Sequence, residues 1–304
     1  MDILNKIIYI LKDAIELGLI WSIMALGIFI SFRILNIADL TAEGSITLGS
    51  AISIHLIIDG LNSFLALLLA IIGGFIVGII TGLLHTKLKI PAILAGIISM
   101  TGLYSINLRV LGKAAIYLDK EKTIYTLFKT FINDNFLAKV LMSLIIVIII
   151  FLILYYFFGT EIGMDLRAAG MNQKMAKSQG INTDLMIILG LGIANGLIAL
   201  SGAMFSQAQR NANMDLGKGT IVIGLASIII GEVLFGKRSF KNSLISVILG
   251  SIIFNAIIGI AIALGLNPND LKLIQAIIIT IILALPLIEK KIKRKNEFGS
   301  GENA

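Results

Sequence analysis

Eighteen consecutive residues from Leu141 to Phe158, LMSLIIVIIIFLILYYFF, carry no charge. About 20 apolar residues in helix cross the hydrocarbon of a bilayer, so a run of this length reads as a membrane span. In lipid every backbone N–H and C=O must be satisfied internally, which confines such a run to helix. A second run, LMIILGLGIANGLIALSGAMF, covers Leu185 to Phe205. Between the two lies a polar island, Gly159 to Asp184, GTEIGMDLRAAGMNQKMAKSQGINTD. The island must sit outside the membrane, held by two spans. Within it, Leu166 to Gln179 reads as one surface helix of about 14 residues. Gly180 is its stop, because glycine accepts the left-handed conformation at a helix end. Asn182 to Asp184 offer capping side chains for the next span. A short helix carried rigidly between two spans can pass force to a partner protein.

The same apolar patterning fills the rest of the chain. Hydrophobic residues make up 57% and charged residues 14%, against about 25% charged in a soluble domain. Nine apolar segments follow: residues 14–33, 45–59, 62–84, 91–111, 136–158, 185–208, 220–235, 242–265 and 271–288. The fold class is therefore all-α, a polytopic membrane protein with about 8–10 transmembrane helices. Residues 14–288 read as a single transmembrane domain and 1–13 as an interfacial helix. Residues 289–304 form a basic tail, and 297–304 resemble a tag remnant. The first segment carries Asp13, Glu16 and Trp21 and lacks a small-residue cleavage site, so it reads as a retained span. Basic short connections (HTKLK, GKRSFK and the tail) place those ends in the cytoplasm, with the amino terminus outside for nine crossings. The loop 112–135 is the exception, since it is also lysine-rich.

Two segments are unusual in the same way. DLTAEGSITLGSAI begins at Asp39 and DLGKGTIVIGLASI at Asp215. With one gap, Gly44 aligns with Gly219, Ser45 with Thr220, Ile46 with Ile221 and Gly49 with Gly224. Each opens a short apolar segment, and an odd number of crossings separates them. That is the pattern of an inverted repeat with broken or short helices, and such segments point toward a translocation path. Carboxylates near hydrocarbon are costly and usually face a cavity or a partner. Asp39 and Glu43 therefore have two open readings, helix capping or the path, while Glu232 reads as paired with Lys237 or Arg238. Asn195 and Gln207 can line the path or hydrogen-bond between helices.

Several chemistries are excluded. There is no cysteine, so neither disulfides nor thiol ligands arise. Only His55 and His85 are present, too few for a histidine-rich metal site, and no metal site is expected. GKG at Gly217 to Gly219 lacks the spacing of a phosphate-binding loop. Much of the net charge of +7 lies in EKKIKRK (Glu289 to Lys295), so it signals orientation and not nucleic acid.

RAAGMNQKMAKSQGINTD resembles the coupling segment of ABC-importer permeases of the branched-chain amino acid and ribose type. The resemblance continues through LGLGIANGLIALSGAMFSQ and reappears in LNIADLTAEGSITLGSA, covering roughly residues 14 to 288. It implies that Arg167, Ala168, Gly170, Asn172, Ala176, Gly180, Asn182 and Asp184 couple the chain to an ATPase. It implies a path near Asn36, Asp39, Thr41, Glu43, Ser45, Asn195, Gln207, Asp215, Thr220 and Glu232. The implied partners are a second permease copy, a cytoplasmic ABC ATPase dimer that uses ATP and Mg, an extracytoplasmic solute-binding protein and the lipid of a bacterial plasma membrane. This chain would bind no cofactor and would not itself be an enzyme. The AEGS-x-x-LG pattern resembles members linked to tryptophan, tyrosine or similar amino acids. The rival reading is a stand-alone ion-coupled secondary transporter or channel, which has no need of a docking helix.

Overall fold

The computed structural model describes residues 3–129, 132, 134–263, 273, 275–277 and 280. Helix α1 (Ile3–Ile28) runs directly into a π-helical turn (Phe29–Ile34). An irregular stretch leads to α2 (Ala42–Ile58), then α3 (Ser63–Thr86), α4 (Ala92–Leu111), strand β1 (Ala115–Tyr117), α5 (Ile124–Lys129) and α6 (Asn135–Phe157). The polar island holds α7 (Glu161–Met171) and α8 (Gln173–Ser178). Helix α9 (Thr183–Gln209), strand β2 (Asn211–Asn213), α10 (Thr220–Phe235) and α11 (Phe240–Ala263) follow.

Six helical stretches among the described residues are long and apolar enough to cross a membrane: Ile10–Ile34, α3, α4, α6, α9 and α11. Two shorter apolar helices, α2 and α10, are the two segments expected to be broken. The chain is an all-α polytopic membrane protein. Apart from five residues, the ninth expected segment, 271–288, lies outside the described residues, as does the basic tail.

A helix that is apolar on all sides belongs in an interior, and two helices satisfy this. The apolar window of the first span is 83% buried and that of α9 is 78% buried, against 39% or less for the other four. The first span and α9 are thus the centre, with α3 packed on α9 and α11 on α1. Small residues permit these contacts, because without a hydrophobic drive between helices close backbone approach supplies the attraction. A Cβ at Gly74 or Gly78 of α3 would strike the carbonyls of Asn195 or Leu191 in α9. A Cβ at Gly18 of α1 would strike the backbone of Ile252 in α11.

Two expectations change. The first dozen residues do not form a separate helix, since α1 is continuous from Ile3. The island is not one helix over Leu166 to Gln179. It breaks at Asn172, whose extended backbone (φ −156°) lets its side chain accept from Met175 N–H and start α8. The loop 112–135 carries structure of its own: β1 pairs antiparallel with β2 (Ala115 opposite Asn213, Tyr117 opposite Asn211), and α5 packs on α6. Arg210, left-handed at φ 56°, turns the end of α9 into β2 and donates to the carbonyls of Asp119 and Glu121.

Candidate functional site

Helices α2 and α10 face each other end to end. Asn195 sits near the middle of α9, and Ser45 in the first turn of α2 donates to Asn195 Oδ1 at 2.6 Å. Helix α2 thus starts near the middle of the bundle and runs toward the β1–β2 end. Helix α10 starts beside it and runs the opposite way. The two starts are joined directly, since Glu43 Oε1 accepts from the Gly219 N–H that precedes α10, at 2.9 Å. Gly217 lies against the Glu43 carbonyl, where any Cβ would collide. The aligned glycines have matching places: Gly49 meets α9 at Ala199, and Gly224 meets α1 at Ile28. This is the geometry an inverted repeat requires.

A buried polar network fixes the start of α2. Asp39 accepts from Thr41 N–H at 2.9 Å and from Asn195 Nδ2 at 2.7 Å. Asp39 thus holds the turn that precedes α2 and ties it to α9. Thr41 bonds Thr81 of α3 at 3.0 Å, and Asn107 of α4 donates to the Gly44 carbonyl at 3.1 Å. Gln207 donates to Ser53 and to the Ser63 carbonyl and accepts from Ile124 N–H. Asn195 and Gln207 therefore act between helices.

Beside Glu43 is a cavity of about 280 Å³, lined among others by Thr47, Met100, Tyr104, Asn107 and Lys218. Its volume lies just under the roughly 300 Å³ at which pockets for drug-sized ligands begin. Lys218 and Asp215 pair with each other at its mouth, with side chains 61% and 76% exposed. They lie at the depth where α2 and α10 begin. Charges at membrane depth face water or protein, not hydrocarbon.

The opposite end of α10 is held by charge. Arg33 of the π turn grips Glu232 with two nitrogens, Nε at 2.8 Å, and Lys237 approaches the same carboxylate at 3.8 Å. The expected Lys237 contact is present, but the principal partner is Arg33, 199 residues away in sequence. The island packs on this same end. Gly170 lies against the Ile34 carbonyl of the π turn, and the Arg167 guanidinium stands over Phe240, 5.1 Å from its ring centre. Phe240 also meets Phe158 and Phe29, so one ring touches the end of α6, the π turn and α7.

Asp184 gathers Lys87, Lys89 and Lys177 within 4.0 Å, joining α8, α9 and the α3–α4 connection. The basic connection HTKLK and the island therefore meet at one end. Gly180 is left-handed (φ 86°), and Asn182 caps α9 by accepting from Leu185 N–H. Ala176 is buried, Ala168 is half-buried and Asn172 is exposed. Thr220 donates to the Gly217 carbonyl, while Asn36 is exposed and left-handed at φ 56°. Sequence reasoning missed Met164, Met171 and Met175, which are 52%, 85% and 54% exposed on the island. Exposed methionines make an adaptable contact surface, and the spacing of three methionines across a polar island was the available signal.

Comparison with known proteins gives the same class. The family model for the branched-chain amino acid transport system permease component matches residues 10–284. A tyrosine transport system permease protein of Clostridioides difficile is 41% identical over 92% of each chain. An uncharacterized protein of Rickettsia prowazekii is 33% identical over 90% of this chain and 97% of its own. A fructose import permease protein of Bifidobacterium longum is 23% identical over 81% of this chain and 69% of its own. No solved structure matches the chain significantly.

Proposed function

Because the chain belongs to the branched-chain amino acid transport system permease family, we infer that it moves an amino acid inward as the permease subunit of an ATP-binding-cassette importer. An aromatic amino acid is the substrate class, with tyrosine first in view of the Clostridioides difficile relative. The observation that carries the reading is the island. It presents exposed methionines outward while its Gly170 seats on the π turn that holds α10. An ATPase docked there touches a part of the molecule already connected to the central crossing.

The mechanism is alternating access. ATP and Mg are used by the partner ATPase dimer, whose closure displaces α7 and α8. The displacement reaches the π turn through Gly170 and Ile34, and α10 through Arg33 and Glu232. Helix α10 then moves relative to α2 at the Glu43–Gly219 contact. The island must bind the ATPase differently in the two states, because only differential interaction shifts an equilibrium. A second copy of this chain faces the charged mouth formed by Lys218 and Asp215, enclosing a wet path between the copies. An extracytoplasmic binding protein delivers solute at the end carrying β1 and β2.

The test is co-purification of the chain from its native membrane. An ATPase recovered in about equal amount, and lost on replacing Gly180 with valine, is the expected result. Valine at φ 86° is strained regardless of space, so the fold of the island is altered while the spans persist. A chain that purifies alone and still moves solute in vesicles would overturn the reading.

A further inference from the structure

Asn107 is 1% exposed, yet among the described residues its Oδ1 has no hydrogen-bond donor. The amide orientation is fixed by the other end, because Nδ2 donates to the Gly44 carbonyl. Reversing the amide would set two carbonyl oxygens against each other. Buried acceptors are nearly always satisfied, and Asn107 lines the 280 Å³ cavity beside Glu43. Glu43 gives that cavity a carboxylate, and the unpartnered Asn107 oxygen lies buried behind its wall. The other walls are supplied by Met100, Tyr104 and Met214. Lys218 at the mouth is paired with Asp215, so it does not set a bare positive charge against an entering cation.

We propose that this cavity is a station on the path that takes the ammonium group of the transported amino acid, held by Asn107 Oδ1 and Glu43, with the aromatic side chain against Met100 and Tyr104. The proposal rests on the amino-acid importer reading and names the residues that contact the solute. An ammonium has three donors and no acceptor. It satisfies both oxygen types at once, while an end group with no N–H or O–H leaves Asn107 Oδ1 unsatisfied, and an anionic one is also repelled by Glu43. Glu43 also holds the start of α10 through Gly219, so arrival of a cation competes with the contact that joins the two short helices.

The absence of cysteine makes the test clean, since Met100→Cys places a lone thiol on the cavity wall. The rate of its modification by a methanethiosulfonate reagent is measured on the full chain in proteoliposomes, with L-tyrosine or with 3-(4-hydroxyphenyl)propionate, which lacks the ammonium. L-tyrosine is expected to slow modification at a concentration about tenfold or more below that of the des-amino compound, the scale of one hydrogen bond to a charged group. Asn107→Leu is expected to erase that ratio and Glu43→Gln to reduce it. Uptake of L-tyrosine by the assembled transporter without protection of the thiol would overturn the proposal alone. So would an unchanged ratio in both Asn107→Leu and Glu43→Gln. Absence of both protection and uptake of any standard amino acid would sink the amino-acid reading and this proposal together.

Discussion

Helices α2 and α10 descend from matching sequence, yet each is fixed to a different part of the molecule. Helix α2 touches the central α9 backbone to backbone: Gly49 lies against Ala199, and Gly202 of α9 lies against the Ile46 carbonyl. It meets α3 through side chains, with Gly73 against the tip of Ile52. Helix α10 reverses the arrangement. Its Gly231 lies against the Ser246 carbonyl of α11, and Gly250 of α11 against the Ser227 carbonyl. It meets the central α1 through the tip of Ile28 beside Gly224. One short helix is thus built into the centre and the other into the periphery. Their common border is a hydrogen bond at Glu43, where relative movement costs least. An inverted repeat supplies matching halves, and glycine placement decides which half stays put.

The largest expected effect tests that asymmetry. Gly49→Leu puts a side chain into the backbone of Ala199, an overpacking with no flexible neighbour to yield, and costs about 3 kcal/mol or more. The chain should fail to accumulate in the membrane, as judged by immunoblot of membrane fractions. Gly224→Leu displaces only the end of Ile28, so the chain should accumulate while uptake falls. Equal loss of both proteins would remove the distinction between the two helices.

Asn195→Leu comes next. It strips Asp39 and Ser45 of their shared partner in the buried network. Leaving a buried polar group unsatisfied costs about 1–3 kcal/mol. Thermal unfolding in detergent should shift downward, and an unshifted midpoint would show that the start of α2 is held by packing alone.

The smallest effect on stability is expected for Glu232→Gln. The Glu232 side chain is 11% exposed but that of Arg33 is 40% exposed, and an ion pair open to water on one side contributes about 1 kcal/mol. The midpoint should barely move, while ATP hydrolysis by the assembled transporter should lose its stimulation by solute. A large drop in the midpoint with coupling intact would make the pair structural.

Much of the fold was legible because lipid is a demanding solvent. Long apolar runs have no other stable use, so the spans stood out, and the two short segments declared themselves by their aligned Asp-Leu and glycines. The island was legible as a unit. Its break at Asn172 was not, since a capping asparagine in mid-helix looks like any polar surface residue until its backbone is extended. The Arg33–Glu232 pair was invisible, because two charges 199 residues apart leave no local pattern and Lys237 was the nearer candidate. Asn107 was passed over for the same reason. It sits on a mostly apolar helix, and its meaning depends on Gly44 and Glu43 arriving from another part of the chain.

The glycine face that α3 presents to α9 also sets a schedule. Gly78 waits for Leu191, more than a hundred residues downstream. At about 5–20 residues per second of synthesis, α3 is exposed for about 6–20 s before its partner exists. During that interval its smooth face is in contact with lipid or with the insertion machinery. The centre of this protein therefore stays open until α9 is made, and any condition that slows translation between α4 and α9 lengthens the time an unfinished core is open to proteolysis.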